Sequence, residues 1–223
     1  MTKIFLGDII NKKFRSGSMI KNVVFDIGNV LISFSMRQEL EKAFGSKEEA
    51  DRLYPVIFSK YWRDCDRGII TLEEQIRSTC ELSPKDSEAI TKLLSNRVDM
   101  FIPVKDSENV VKELKKAGFG VYYNSNTSFD AIEGLSKKLG YFDIFDGGVI
   151  SCAEKCTKAD NGRNLFTVFL EKYPLDPKEC VFVDDTLNNV ESAQRAGFNT
   201  VHLKKPELLR EELKKFDDIK NVL

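Results

Sequence analysis

Val23-Val24-Phe25-Asp26-Ile27-Gly28-Asn29-Val30-Leu31-Ile32 is the stretch on which the fold turns. A short run of β-branched and aromatic residues is followed at once by aspartate, glycine and asparagine, then by further apolar residues. Such a run predicts a buried parallel strand whose carboxyl end opens into a tight loop. Open α/β sheets bind ligands outside the carboxyl ends of their strands, which makes Asp26 a candidate site residue. An apolar strand ending in Asp also marks ordinary turns and helix caps, so the segment needs support from elsewhere in the chain.

The second half supplies it. Helical patterns over 107–117, 131–139, 165–173 and 190–196 alternate with strand-like runs at 119–123, 148–150, 180–183 and 200–203, and 206–216 reads as a terminal amphipathic helix. Gly118, Gly140 and Gly197 close helices. Strands alternating with helices imply a parallel sheet with right-handed crossovers. The first half differs: from Met36 onward the pattern is helical, with a stop at Gly45, a break expected near Pro55, a Thr71-Leu72-Glu73-Glu74 capping box and a start at Ser83-Pro84. No strand is expected between Ser35 and Val104. The fold class is therefore α/β, a Rossmann-like parallel sheet flanked by helices, with an inserted all-α unit.

Three strand tips carry polar groups: Asp26, then Ser125 with Asn126, then Asp184 with Asp185. In a parallel sheet these tips share one edge. Three carboxylates brought together repel and shift one another's pKa unless a cation holds them. Hard oxygen ligands without His or Cys point to Mg²⁺.

Composition narrows the function classes. The 223 residues are 42% hydrophobic and 31% charged, with 34 Lys+Arg against 35 Asp+Glu. No positive excess argues for nucleic acid or an anionic membrane. No stretch has the apolar length of a transmembrane helix, and the amino terminus lacks a secretory pattern. The five scattered cysteines, Cys65, Cys80, Cys152, Cys156 and Cys180, read as reduced thiols of a cytoplasmic protein. The single histidine, His202, reads as structural at a strand end, against a Ser/His or Cys/His hydrolase. Residues 1–18 read as a natural extension or an appended tail, and Met19 can itself serve as a start.

With the strand tips in view, the sequence from Ile20 to Leu223 resembles the haloacid dehalogenase superfamily of phosphohydrolases. Phe25-Asp26-Ile27-Gly28-Asn29-Val30 resembles its first motif, Tyr123-Asn124-Ser125-Asn126-Thr127 its second, and Val183-Asp184-Asp185-Thr186 with Asn188-Asn189-Val190-Glu191-Ser192-Ala193 its fourth. Lys158 falls where the family places its third-motif lysine, although Ala159 replaces the usual proline and Lys155 competes for the position. The resemblance extends to the subgroup with an α-helical cap inserted after the first motif. It implies a core domain over 19–35 and 103–223, and a cap over 36–102.

The resemblance also implies roles. Asp26 would be the nucleophile of an aspartyl-phosphate mechanism. Mg²⁺ would be held by Asp26, the Gly28 carbonyl and Asp185, with Asp184 behind it. Ser125, the Asn126 backbone N–H and Lys158 would bind the phosphoryl oxygens, and Asn189 would orient the fourth-motif loop. Against this stands the plain reading that Ser125 and Asn126 cap the next helix and Lys158 is a surface lysine. Most phosphatases of the family carry a second Asp where this chain has Gly28, and glycine supplies no proton to a leaving group. Some members of the subgroup share the Asp-x-Gly-Asn opening, among them a phosphatase of glucose 1-phosphate.

The expected activity is hydrolysis of a small phosphomonoester, a sugar phosphate or similar metabolite, by a monomer or dimer. The alternatives are a metal-independent dehalogenase, a phosphomutase, and a phosphate-binding module impaired in catalysis. In the cap, Trp62-Arg63-Asp64-Cys65-Asp66-Arg67-Gly68 resembles the loop that faces the site in this subgroup. Trp62, Arg63 and Arg67 are its candidate specificity residues; the rival reading makes Trp62 core and both arginines surface charges.

Overall fold

The computed structural model describes residues 18–223, so the extension expected over 1–18 lies, Ser18 apart, outside the described residues. In chain order the elements are β1 (Asn22–Phe25), β2 (Ile32–Ser33), α1 (Met36–Phe44), α2 (Lys47–Ile57), α3 (Lys60–Asp66), α4 (Leu72–Leu82), α5 (Ser87–Ser95), β3 (Ile102–Pro103), α6 (Ser107–Lys116), β4 (Gly120–Ser125), α7 (Phe129–Leu139), β5 (Gly147–Ile150), α8 (Ser151–Glu154), α9 (Leu165–Lys172), β6 (Cys180–Asp184), α10 (Leu187–Arg195), β7 (Asn199–His202) and α11 (Leu209–Leu213).

All four residues of β1 are buried, and β1 is the middle strand of a five-stranded sheet in the order β5-β4-β1-β6-β7. Every pairing in that sheet is parallel. The continuous apolar run is explained by cover on both faces. Val23 and Phe25 pack with Val181, Val183 and residues of α6, α7 and α11, including Val110, Leu135 and Leu209. Val24 points the other way, into a layer with Phe182, Phe166 and Phe169. Phe25 is in register with Tyr123 of β4 and Val183 of β6. The residues just beyond those pairs therefore emerge side by side at one edge.

Helices α1 to α5 build a core of their own from residues such as Met36, Leu40, Leu53, Ile57, Ile90 and Leu94. Gly45 ends α1 in the left-handed conformation, at φ 79°, and the Thr71 capping box forms with both reciprocal bonds. The chain enters and leaves this helical segment through β2 and β3, which pair antiparallel as Ile32 with Pro103 and Ser33 with Ile102. This pair was not expected, because two residues carry no readable period.

Pro55 also departs from expectation: it lies inside α2, and the interruption falls at Phe58-Ser59. Proline forfeits its own bond to the carbonyl four residues back. The Phe58 N–H still donates to the Tyr54 carbonyl at 2.9 Å, which closes the last turn beyond it.

Polar contacts join the helical segment to the sheet side. The guanidinium of Arg97, 2% exposed, donates to Asp130 Oδ2 at 2.7 Å and to Gln75 Oε1 at 3.1 Å, and also to Ser128 Oγ. Removing one member of a buried charged network leaves the others unpaired. Arg97→Met should destabilise the protein by about 2 kcal/mol or more in urea unfolding, somewhat below the range for fully buried pairs because Asp130 is 33% exposed.

Candidate active site

Asp26 follows β1, where its backbone N–H still donates to the Val183 carbonyl at 2.8 Å. The residue is 8% exposed. Oδ1 accepts from Ser125 Oγ at 2.8 Å and lies 2.8 Å from Lys158 Nζ. Burial pushes the Asp26 carboxyl up to about 7, against the pull of the Lys158 ammonium and with a further push from Asp184.

Lys158 is 1% exposed, so it is no surface lysine. Its ammonium donates to Asp184 Oδ2 at 2.6 Å as well as meeting Asp26. Burial opposes that charge, yet Asp184 and Asp26 together hold the ammonium above its ordinary pKa. Its backbone N–H donates to Asn126 Oδ1 at 3.1 Å, so the second strand tip also positions the lysine. Lys155, the competing candidate, is turned to the Gly68 carbonyl.

The adjacent aspartates differ in how far their oxygens are committed. Asp184, fully buried, accepts from Lys158 Nζ, from the Thr186 N–H at 2.8 Å, and from Asn189 Nδ2 at 3.1 Å to each oxygen. A carboxylate has about four acceptor sites, and those of Asp184 are filled. Among the described residues, Asp185 accepts from Asn29 Nδ2 at 3.0 Å and Thr186 Oγ1 at 3.2 Å and from no others. Its carbonyl is 3.0 Å from His202 Nε2, which gives that histidine a structural part.

Asn29 was read only as a letter of the first motif, but the structure gives it a task. It adopts φ 52°, a conformation asparagine tolerates better than most residues, and its side chain links Asp185 to the Phe34 N–H.

Among the described residues, Asp26, Asp184 and Asp185 are the group of carboxylates close enough to share an ion, with one oxygen from each within 4.8 Å of the others. Lys158 offsets one of the three charges. Oxygen donors alone, with charge still to be balanced, fit a hard divalent cation. Gly28 stands beside them, and a Cβ built there would meet nothing within 4 Å.

The acid cluster opens into a cavity of about 490 Å³. Trp62, Asp66 and Arg97 line it, whereas Arg63 and Arg67 do not. Arg63 is exposed, and Arg67 is held in an ion pair with Asp160. The two arginines expected to face the substrate thus point elsewhere, and the arginines that line the cavity are Arg37 and Arg97. Asp66 accepts from the Trp62 side chain, and burial pushes its carboxyl up to about 7 although Arg97 pulls it down.

A model of the haloacid dehalogenase-like hydrolases matches residues 20–197. The chain belongs to this family. The resemblance carried by the strand-tip motifs is borne out, and this hydrolase has relatives of several kinds. A sesquiterpene phosphatase of Aspergillus oryzae is 26% identical over 183 residues, 82% of this chain and 89% of that protein. Among solved structures, a HAD family enzyme of Bacteroides thetaiotaomicron in complex with magnesium and inorganic phosphate superposes with a TM-score of 0.63 at 24% identity, covering 82% of this chain and 93% of that one. The L-2-haloacid dehalogenase of Xanthobacter autotrophicus with chloropropionic acid covalently bound gives 0.60 at 20% identity, covering 82% and 76%. These structural likenesses show the shared fold.

A carboxyl whose pKa is raised by folding favours the native state at low pH, and that advantage is lost as pH rises through the folded value. For Asp26 the window runs from its ordinary 3.8 to about 7. In metal-stripped protein, Asp26→Asn should therefore be more stable than the parent at pH 8, by on the order of 3 kcal/mol. The gap should close as pH falls toward 4, in thermal unfolding followed across that range.

Proposed function

We propose that this hydrolase is a Mg²⁺-dependent phosphatase of small phosphomonoesters that works through an aspartyl-phosphate on Asp26. The observation that carries the reading is the placement of a buried carboxylate with Lys158 and Ser125 on one oxygen and two further aspartates within reach of a shared ion. The name of the Aspergillus oryzae relative and the magnesium and phosphate in the Bacteroides thetaiotaomicron structure support the same reading.

Asp26 Oδ1 is engaged by Ser125 and Lys158, which leaves Oδ2 as the attacking oxygen. Attack in line by Asp26 Oδ2 forms an acyl phosphate and breaks the bond to the leaving oxygen, which takes its proton from solvent water because Gly28 offers none; water then attacks the acyl phosphate, releasing inorganic phosphate and a proton and restoring the carboxylate. Ser125 Oγ and Lys158 Nζ stand where charge develops on the phosphoryl oxygens. Mg²⁺ would be held by Asp26, Asp185 and the Gly28 carbonyl, and would neutralise the repulsion between carboxylate and phosphate. Asp184, with its acceptor sites filled, acts by fixing Lys158 and the loop before α10. Residues 36–102 serve as the cap over this site, with 19–35 and 103–223 as the core.

A metal-independent dehalogenase would have no use for three converging carboxylates, and these weigh against it. The phosphomutase and impaired-module readings both turn on Gly28. General acid–base help contributes about 10²–10⁴-fold in typical enzymes. Lacking it at position 28, the enzyme should be slow on esters of poorly leaving alcohols.

Phosphate release from p-nitrophenyl phosphate should require Mg²⁺, stop with EDTA, and fall by at least about 10³-fold in Asp26→Asn. Undiminished turnover after metal removal, or chloride release from 2-chloropropionate instead, would overturn the reading. Because the space at Gly28 is open, Gly28→Asp should fold normally and raise kcat/KM for ethyl phosphate by about tenfold or more. An unchanged rate would remove the leaving-group argument.

A further inference from the structure

The wall of the cavity away from the acid cluster is made of aromatic rings. Tyr54, Phe58, Trp62, Phe34 and Phe101 all line it, and each touches the next. Ring centroids are 4.8 Å apart for Tyr54 and Phe58, 4.6 Å for Phe58 and Trp62, 6.3 Å for Phe34 and Trp62, and 5.3 Å for Phe34 and Phe101. Tyr54 in α2, Phe58 in the break after it and Trp62 in α3 are spaced four residues apart, and their ring contacts place them on one wall. Phe34 and Phe101 come from the two crossings between helices and sheet. Four of the five keep part of their surface accessible although they sit among buried neighbours.

Several polar groups beside this wall are already engaged. The Arg97 guanidinium is taken by Asp130, Ser128 and Gln75. Asn29 is fixed between Asp185 and the Phe34 N–H. Arg37 lies 4.0 Å above the Tyr54 ring and is paired with Asp51. A sugar needs fresh hydrogen-bond partners for each hydroxyl it takes out of water, whereas an apolar body needs only surface.

We propose that the substrate is the phosphomonoester of an apolar alcohol, with the hydrocarbon of the leaving group seated against the Tyr54-Phe58-Trp62-Phe34-Phe101 wall. The inference rests on the phosphatase reading for the position of the phosphate. It turns away from the sugar phosphates to which Gly28 alone pointed.

The test is a series of ethyl, butyl and octyl phosphates with glucose 6-phosphate, at concentrations below micelle formation, using the Mg²⁺-loaded full chain. The value of kcat/KM should rise at least about tenfold from ethyl to octyl, with glucose 6-phosphate near the ethyl value, and Phe58→Asn should flatten the rise. In parallel, calorimetry on Asp26→Asn should show octylphosphonate binding at least about tenfold tighter than ethylphosphonate, with a negative heat-capacity change. Cleavage of p-nitrophenyl phosphate with no chain-length dependence in either series would overturn this inference and leave the phosphatase reading standing. A phosphonate gradient without turnover of any ester would overturn hydrolysis while keeping the apolar site.

Discussion

The ammonium of Lys158 is held in a buried space between Asp26 and Asp184, and the rest of the site is arranged around that charge. Without it, Asp26 and Asp184 would face each other across a dry gap, and burial alone already drives the Asp26 carboxyl upward. With it, one oxygen of Asp26 is pinned beside Ser125 and the four acceptor sites of Asp184 are satisfied. Buried ion pairs of this kind are weak sources of stability, because desolvation offsets much of their attraction. Their worth here is positional: they fix where the Asp26 carboxylate stands.

The fold supplies that arrangement economically. A strand covered on both faces cannot bend its tip toward solvent without losing the packing of Val23, Val24 and Phe25. Parallel neighbours in fixed register then bring Ser125 and Asp184 to the same edge. The helical segment adds what the sheet edge lacks, an enclosing apolar surface, and Arg97 ties the two parts together.

Much of this could be read from the chain because the strongest signals were abrupt. An apolar run that ends on Asp26, or on Asp184-Asp185, marks both a buried strand and the point where it reaches the site. Lys158 could be placed only by its offset from Ile150, since nothing local distinguishes a buried lysine from a solvated one. Arg97 was silent for the same reason: its partners Asp130, Ser128 and Gln75 lie 22 to 33 residues from it, at no helical spacing. Arg63 and Arg67 misled because a loop's motif locates the loop and leaves the direction of each side chain open. The four-residue spacing of Tyr54, Phe58 and Trp62 stands in the sequence, but Phe58 falls in the break between α2 and α3, so only the ring contacts of the folded chain show that the three share a wall.

The long-range character of the acid cluster bears on how the protein acquires its structure. Ser125 is 99 residues from Asp26, and Lys158 and Asp184 are each more than half a chain length from Asp26. Loop closure over such separations is slow, while the neighbouring helices α1 and α2, or α4 and α5, need only local encounters. The helical segment can therefore gather early around its own core, whereas Asp26 must wait for β6 and the lysine before it to arrive. Until those partners meet, the chain carries its carboxylates in water, where none of them repels the others strongly, so the electrostatic tension of the site comes with its long-range contacts and not with the local ones.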